Sequence, residues 1–370
     1  MGTYIVRRLL LIIPTLFAIM VVNFIVIQVA PGGPVEQAIA QMTGEGSAIT
    51  DRITRGGGEN IGQARKGLQA PTASTTSKYR GAQGLDPEFI KELEQRFGFD
   101  KPLHVRFIDM MKNYLTLDFG ESFFRDRKVT DLVLDKMPVS ISLGLWTTLL
   151  VYIISIPLGV TKAVRDGSRF DVWTSVVIVI GTAIPSFLFA VFLLVIFAGG
   201  SYVNWFPMAG LTSENWDAMS WPARIIDYLW HLVLPITAMT IGGFATLTML
   251  TKNSFLDQIN QQYVLTARAK GLDERRVMYG HVFRNAMLIV IAGFPAAFIG
   301  ILFTGSLLIE IIFSLDGLGL LGFEAAFSRD YPVMFGTLFF FSLLGLVMNL
   351  VGDMAYTLID PRIDFASRNV

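Results

Sequence analysis

The sequence predicts an all-α integral membrane protein with six transmembrane helices. Three observations carry that reading. The 370 residues are 52% hydrophobic and only 16% charged, too apolar for a set of soluble domains. Six windows, at about 9–30, 141–160, 172–198, 231–250, 287–312 and 333–357, reach the roughly 20 apolar residues of helix that a bilayer core requires. Basic residues also alternate sharply between the short connections that join these windows. The absence of cysteine removes disulfides, thiol nucleophiles and Cys-ligated metals. Lys and Arg together number 30, as do Asp and Glu, so no basic excess points to nucleic acid.

Taken in order, residues 1–30 form the N-terminus and first span. Arg7 and Arg8 before an apolar run resemble a signal peptide, but the run exceeds the roughly 7–15 residues of a cleaved core and shows no A-x-A site, which favours a retained span. Residues 31–139 form a long external segment. Its stretch 41–84 is rich in Gly, Ser and Thr and poor in branched apolar residues, a composition that predicts a flexible insert. From Asp86 a helical cap over 86–135 is expected, with Asp86 as N-cap, Pro87 at the first helical position and Gly98 as the stop. Phe89, Ile90, Leu93 and Phe97 fall on one face of that helix, and a second helix should turn Leu103, Phe107, Met110, Met111 and Tyr114 inward. Residues 140–370 make a five-span core, in which Pro185 within the third span is tolerable because neighbouring helices can satisfy the freed backbone.

Orientation follows from charge. The two termini and the second and fourth connections hold thirteen Lys and Arg, whereas the third and fifth hold only Arg224 and Arg329. The positive-inside rule therefore places both termini in the cytoplasm and, by parity, segment 31–139 outside. Gly317, Gly319 and Gly322 spell G-x-G-x-x-G but lie in a short connection between spans, where a tight turn is the better reading than a dinucleotide site. His104, His231 and His281 fall in different compartments and none belongs to an H-E-x-x-H pair, which argues against a metal centre. No G-K-[ST] occurs, so any P-loop that powers the protein belongs to another chain.

Polar residues inside spans are costly and usually face a cavity or a partner. Glu310 and Asp353, with Asn23, Gln28 and Asn349 as weaker cases, are the candidates for lining a passage. The structural alternative puts Glu310 in water at the outer interface and has Asp353 cap or pair at the inner end. The fourth connection, 251–286, is longer than a link needs to be. Leu256, Ile259, Tyr263 and Ala267 fall at helical spacing there, followed by Thr266-Ala267-Arg268-Ala269-Lys270-Gly271. This patch of small residues and two cations ends at a helix-stopping glycine, and small side chains let another surface approach closely.

Tyr263-Val-Leu-Thr-Ala-Arg-Ala-Lys-Gly271, followed by His281-Val-Phe-Arg-Asn-Ala286, resembles the EAA-type cytoplasmic loop of ABC-importer permeases in their dipeptide/oligopeptide branch. Arg7-Arg8-Leu9-Leu10 with Ile13-Pro14-Thr15, the turn Glu310–Gly319, Arg329-Asp330-Tyr331-Pro332 and Asp360-Pro361-Arg362 agree with the same branch. Leu265-Thr266-Ala267 stands where the general loop has Glu-Ala-Ala. The resemblance implies a type I ABC-importer permease fold in a bacterial inner membrane and import of oligopeptides, in some bacteria including the peptide-nucleotide antibiotic microcin C. It implies no enzymatic activity and no cofactor in this chain. Its implied partners are a second homologous permease, ABC ATPase subunits that carry ATP and Mg, an external peptide-binding protein and the lipid bilayer. ATPase coupling would fall to Tyr263, Thr266, Ala267, Arg268, Ala269, Lys270 and Gly271. Two competing classes are an ion-coupled secondary transporter, which needs paired buried acids or unwound span centres, and an intramembrane enzyme, which needs a nucleophile beside a base.

Overall fold

The computed structural model describes residues 2–29, 32–42, 86–200, 202–303 and 307–359. The flexible insert expected over 41–84, from residue 43 on, and the closing Asp-Pro-Arg at 360–362 lie outside the described residues. Those described are helical apart from turns and one isolated bridge between Glu121 and Lys128.

Among the described residues five helices are long and apolar enough to cross a membrane, and the count is six if a bent pair is taken as one span. Helix α1 is Gly2–Val29, α2 is Pro34–Met42, α3 is Pro87–Arg96, α4 is Leu103–Leu115 and α5 is Val129–Val164. The bent pair is α6, Arg169–Ala183, and α7, Ser186–Phe197. Helix α8, Trp221–Ile259, has 39 residues, about 58 Å at 1.5 Å per residue, so it must project well beyond a core roughly 30 Å thick. Next come α9, Gln262–Ala269, and α10, Glu274–Val277, then a π-helical turn at Met278–Val282 that leads into α11, Phe283–Phe303. Helices α12, Leu307–Ile312, α13, Leu318–Ser328, and α14, Tyr331–Ile359, complete the order.

Two expectations need correction, and one helix is new. The third span is not one rod: α6 and α7 meet at 89°. Ile184 is extended, at φ −90° and ψ 119°, ahead of Pro185, because the proline ring disfavours the α conformation in the residue before it. Helix α2 has no counterpart in the sequence reading. Leu103 does not turn inward but is 53% exposed, whereas Tyr114 on the same helix is buried.

The chain divides into two compact units. One comprises Met1–Leu16, Lys136–Leu320 and Phe340–Val370. It holds two apolar clusters. The first joins Val160 and Ala163 of α5, Phe255 of α8, Val264 and Ala267 of α9, and Val282, Ala286 and Val290 around the start of α11. The second joins Leu143, Ala190, Leu193, Ala238 and Ile309. Helices α5 and α8 cross closely at Gly159, where a Cβ would lie 2.6 Å from Thr251 Cβ and 2.8 Å from the Thr248 carbonyl oxygen.

The other unit comprises Phe17–Asp135 and Leu321–Phe339. Asp86 caps α3 by accepting from the Glu88 amide at 3.0 Å, and Gly98 follows the helix at φ +71°. The predicted face of α3 is the one that packs: Leu93 and Phe97 are buried with Val35 and Ile39 of α2, and Phe89 and Ile90 lie against them. Asp330, 2% exposed, accepts from Ser122 Oγ at 2.5 Å and the Phe123 amide at 3.2 Å. Burial holds its pKa above the ordinary carboxylate value, although those hydrogen bonds pull the other way.

Candidate functional site

The segment from α8 to α11 holds the residues from Tyr263 to Gly271. Helix α8 ends at Asn260, and extended Gln261, at ψ 151°, redirects the chain into α9. Leu256, Ile259 and Tyr263 pack beside Ala267 in the first apolar cluster, so the predicted face holds although the helix breaks within it. Val264 is fully buried and Ala267 is 7% exposed. Leu265, Thr266, Ala269 and Lys270 form the opposite, exposed side, Leu265 with 56% of its surface open. Tyr263 donates its hydroxyl to Gln258 Oε1 at 2.9 Å.

Gly271 ends the turn at φ +77°, with its amide on the Arg268 carbonyl at 2.9 Å and no atom within 4 Å of a Cβ placed there. Arg268 grips Glu274 with both Nε, at 3.1 Å, and a terminal nitrogen, at 2.5 Å, a fork geometry that favours its charged form and raises its pKa. Two parts of the sequence reading therefore change. The smallness of Ala267 serves the packing of this chain, and the Arg268 guanidinium is already engaged inside the segment. Ala269, Lys270 and Gly271 remain on the open side.

Beside this segment lies an ion cluster the sequence reading did not see. Lys162, fully buried, donates to the Asp171 carbonyl at 2.8 Å, Thr174 Oγ1 at 2.8 Å and Ser175 Oγ at 2.7 Å, and its ammonium lies 2.9 Å from Asp171 Oδ1. Lys252 reaches Asp171 Oδ2 at 2.7 Å and Asp166 Oδ1 at 2.8 Å. The ends of α5 and α8 are thus tied to the first turn of α6. A Ser168 cap three residues before Asp171 was the available sequence signal, but nothing in it names two lysines as partners.

The intramembrane polar candidates separate. Glu310 is fully buried, not hydrated; its Oε2 accepts from the Leu320 amide at 2.6 Å in the first turn of α13, where Ser140 Oγ accepts from the Leu318 amide at 2.8 Å. A buried carboxyl that accepts at the amide-rich first turn of a helix is a structural cap, which accounts for Glu310 without a passage. Asp353 accepts from the Tyr4 hydroxyl at 2.9 Å and pairs with Arg8 at 3.0 Å, the pairing expected of it. Asn23 donates to the Ile19 carbonyl of its own helix at 2.8 Å. Asn349 is exposed on α14.

A cavity of about 450 Å³ opens among α5, α7, α8 and α11. Its wall is small or hydroxylic, with Thr147, Thr148, Ser186, Thr246, Gly242, Gly243 and Gly293, together with Tyr152 and aliphatic residues, and carries no charged side chain. Thr148 is 2% exposed, and its Oγ1 has no partner among the described residues. These residues escaped the sequence reading because threonine and glycine in an apolar span carry no hydropathy signal.

Residues 155–365, from the second half of α5 through α14, match the model of the family described as binding-protein-dependent transport system inner membrane component. The chain belongs to this family. It is a multi-pass ABC-importer permease of the inner membrane, a transport subunit distinct from the ATPase and not an enzyme. The permease is 62% identical over 370 residues, 100% of both chains, to the peptidoglycan transport system permease protein YejB of Agrobacterium fabrum. It is 58% identical over 368 residues, again 100% of both, to the inner membrane ABC transporter permease protein YejB of Escherichia coli O157:H7. The oligopeptide transport system permease protein AppB of Bacillus subtilis is 32% identical over 369 residues, 99% of this chain and 100% of that one. A chain of the inward-facing MetNI methionine ABC transporter superposes with a TM-score of 0.48 at 16% identity, covering 62% of this chain and 97% of that one.

Proposed function

We propose that this permease forms half of the translocation path of an ATP-driven importer of oligopeptides, including peptide-bearing conjugates such as peptidoglycan fragments and microcin C-like peptide-nucleotides. The names of its full-length relatives support that cargo class. One observation carries the mechanism: α9 packs Val264 and Ala267 into the cluster that joins α5, α8 and α11, while its other side stays open beside Gly271. A separate ATPase that docks on Leu265, Thr266, Ala269 and Lys270 would pull on three spans at once. A partner can shift a conformational equilibrium only through different contacts with its two states, so docking on this segment has to change as the ATPase closes. ATP and Mg belong to the ATPase; the second permease supplies the facing wall, and an external binding protein delivers cargo. The uncharged, hydroxyl-lined cavity suits peptides of varied side chains, since backbone amides are what such cargoes share. Both termini lie in the cytoplasm and the cap outside, following the thirteen-to-two distribution of basic residues.

The ion-coupled alternative loses its two acids, because Glu310 caps α13 and Asp353 pairs with Arg8, and keeps only the break between α6 and α7, which the uptake assay tests. The test is peptide uptake into vesicles carrying the purified complex. Uptake should require ATP and a co-purified P-loop ATPase and should survive a protonophore. Uptake that a protonophore abolishes, with no ATPase bound, would overturn the proposal. Reporter fusions at residues 100 and 265 should report opposite sides of the membrane.

A further inference from the structure

Helix α4 was expected in an external cap, but its contacts lie at another depth. Phe107 packs edge-on against Phe17 and Phe24 of α1, with ring centroids 5.9 and 5.2 Å away. Arg7 and Arg8 mark one boundary of the apolar run on α1, and about 20 residues from there span the hydrocarbon. The far boundary then falls near Gln28, and the level midway between Phe17 and Phe24 is about 11 Å beneath it at 1.5 Å per residue.

The face of α4 beside Phe107 agrees with that depth. Leu103 is 53% exposed and Ile108 48%, and Leu115 and Leu117 at the helix end are 79% and 57% exposed. Arg106, Asp109 and Asn113 lie on the other side, where they line a separate cavity of about 240 Å³. This is the pattern of a helix that lies along a bilayer interface with its apolar face in the acyl region.

Between α1 and α4 runs a groove of about 480 Å³ lined by Val21, Phe24, Ile25, Gln28, Val29, Leu103, His104 and Phe107. Helix–helix contacts in membranes favour Gly, Ala, Ser and Thr. That is the character of the cavity among α5, α8 and α11, whereas this groove has none of those residues. Its wall continues the exposed face of α1 formed by Val22, Ile25, Val26 and Val29. Gln28 Nε2, buried and without a partner among the described residues, supplies an amide donor at the level of the boundary.

We propose that α4 is sunk into the outer leaflet and that the groove it forms with α1 holds one acyl chain of a phospholipid, whose ester region lies beside Gln28 and His104. The choice of leaflet rests on the orientation proposed above; the depth does not. Because the chain has no cysteine, each introduced cysteine is the only labelling site on this subunit. Nitroxides at Ile108→Cys and Leu115→Cys in the assembled transporter in lipid nanodiscs should collide with oxygen more than with a polar nickel chelate. That is the ratio expected at Ile13→Cys within the apolar run of α1 and the reverse of that at Glu92→Cys on α3. A ratio like that of Glu92 would return α4 to water and overturn the proposal. Protection from both reagents would show a protein partner over the face and overturn it equally. A reversed orientation would leave the ratios unchanged and alter only the side from which an impermeant thiol reagent reaches Glu92→Cys. For the groove, native mass spectrometry of the complex should find one phospholipid fewer on Ile25→Trp, which fills it, than on wild type; equal counts would remove the bound lipid.

Discussion

Replacing Gly271 separates backbone geometry from bulk at the surface proposed to meet the ATPase. The residue sits at φ +77° with open space around its Cβ direction, so a substituent meets no clash within the permease and the local cost is conformational. For an ordinary L-residue the left-handed region costs about 1–2 kcal/mol, a factor of about 5–30 in the occupancy of the turn; asparagine visits that region more readily. Gly271→Asn should therefore keep near wild-type uptake and Gly271→Ala should lose part of it. Gly271→Trp carries the same backbone cost as Ala and adds a ring on the exposed side of α9, so it should abolish uptake and ATPase recovery at normal membrane levels. The assay is ATP-dependent peptide uptake beside ATPase pull-down for all three variants in the same membranes. Equal losses for Ala and Trp would assign the effect to the turn rather than to docking, and full uptake with an unchanged ATPase complex in Gly271→Trp would refute the reasoning altogether.

Lys162→Met leaves Asp171 paired with Lys252 but takes the donor from the Asp171 carbonyl and the Thr174 and Ser175 hydroxyls, and should destabilise the folded permease by about 1–3 kcal/mol; thermal unfolding in nanodiscs that shifts by less than about 1 kcal/mol would contradict the ion cluster. Gly159→Ala forces a methyl against the Thr248 carbonyl oxygen, and the overpacking should cost about 1–3 kcal/mol, read in the same melts. Ala267→Trp should act on folding rather than on docking, lowering the amount of folded permease before any effect on ATPase affinity is seen, because Ala267 is 7% exposed in the apolar cluster. The raised pKa of Asp330 means that the folded state holds its proton more tightly than the unfolded chain does. Its contribution is thus fully present below the ordinary carboxylate value and lost as pH rises through the higher folded value. Melts of wild type should lose stability over that window relative to Asp330→Asn, and parallel pH profiles would refute the assignment.

The spans were legible because twenty apolar residues in sequence have few other uses, and Asp86, Pro87 and Gly98 were legible because caps are local chemistry. Gly271 belongs with them. What escaped depends on residues far apart. Pro185 was visible, but the 89° turn depends on what α6 and α7 pack against. Lys162 and Lys252 entered the charge count as topology signals, yet both are spent on Asp171, 9 and 81 positions away. Leu103 sits at a position that periodicity assigns to a core, and period alone cannot distinguish the interior of a protein from the interior of a bilayer.

The turn before α13 ties two positions into one unit of inheritance. A Cβ on Gly317 would lie 2.5 Å from the carboxyl carbon of Glu310, and Glu310 is held in place by the Leu320 amide. Neither residue can drift alone: an alanine at 317 displaces the acid, while loss of the acid leaves the helix amides bare and a void where the glycine made room. A lineage that departs from glycine here would have to shorten the acid first, so Gly317→Ala should be damaging in the wild-type background and milder after Glu310→Asp. Such order-dependent substitutions confine the turn to a narrow evolutionary corridor.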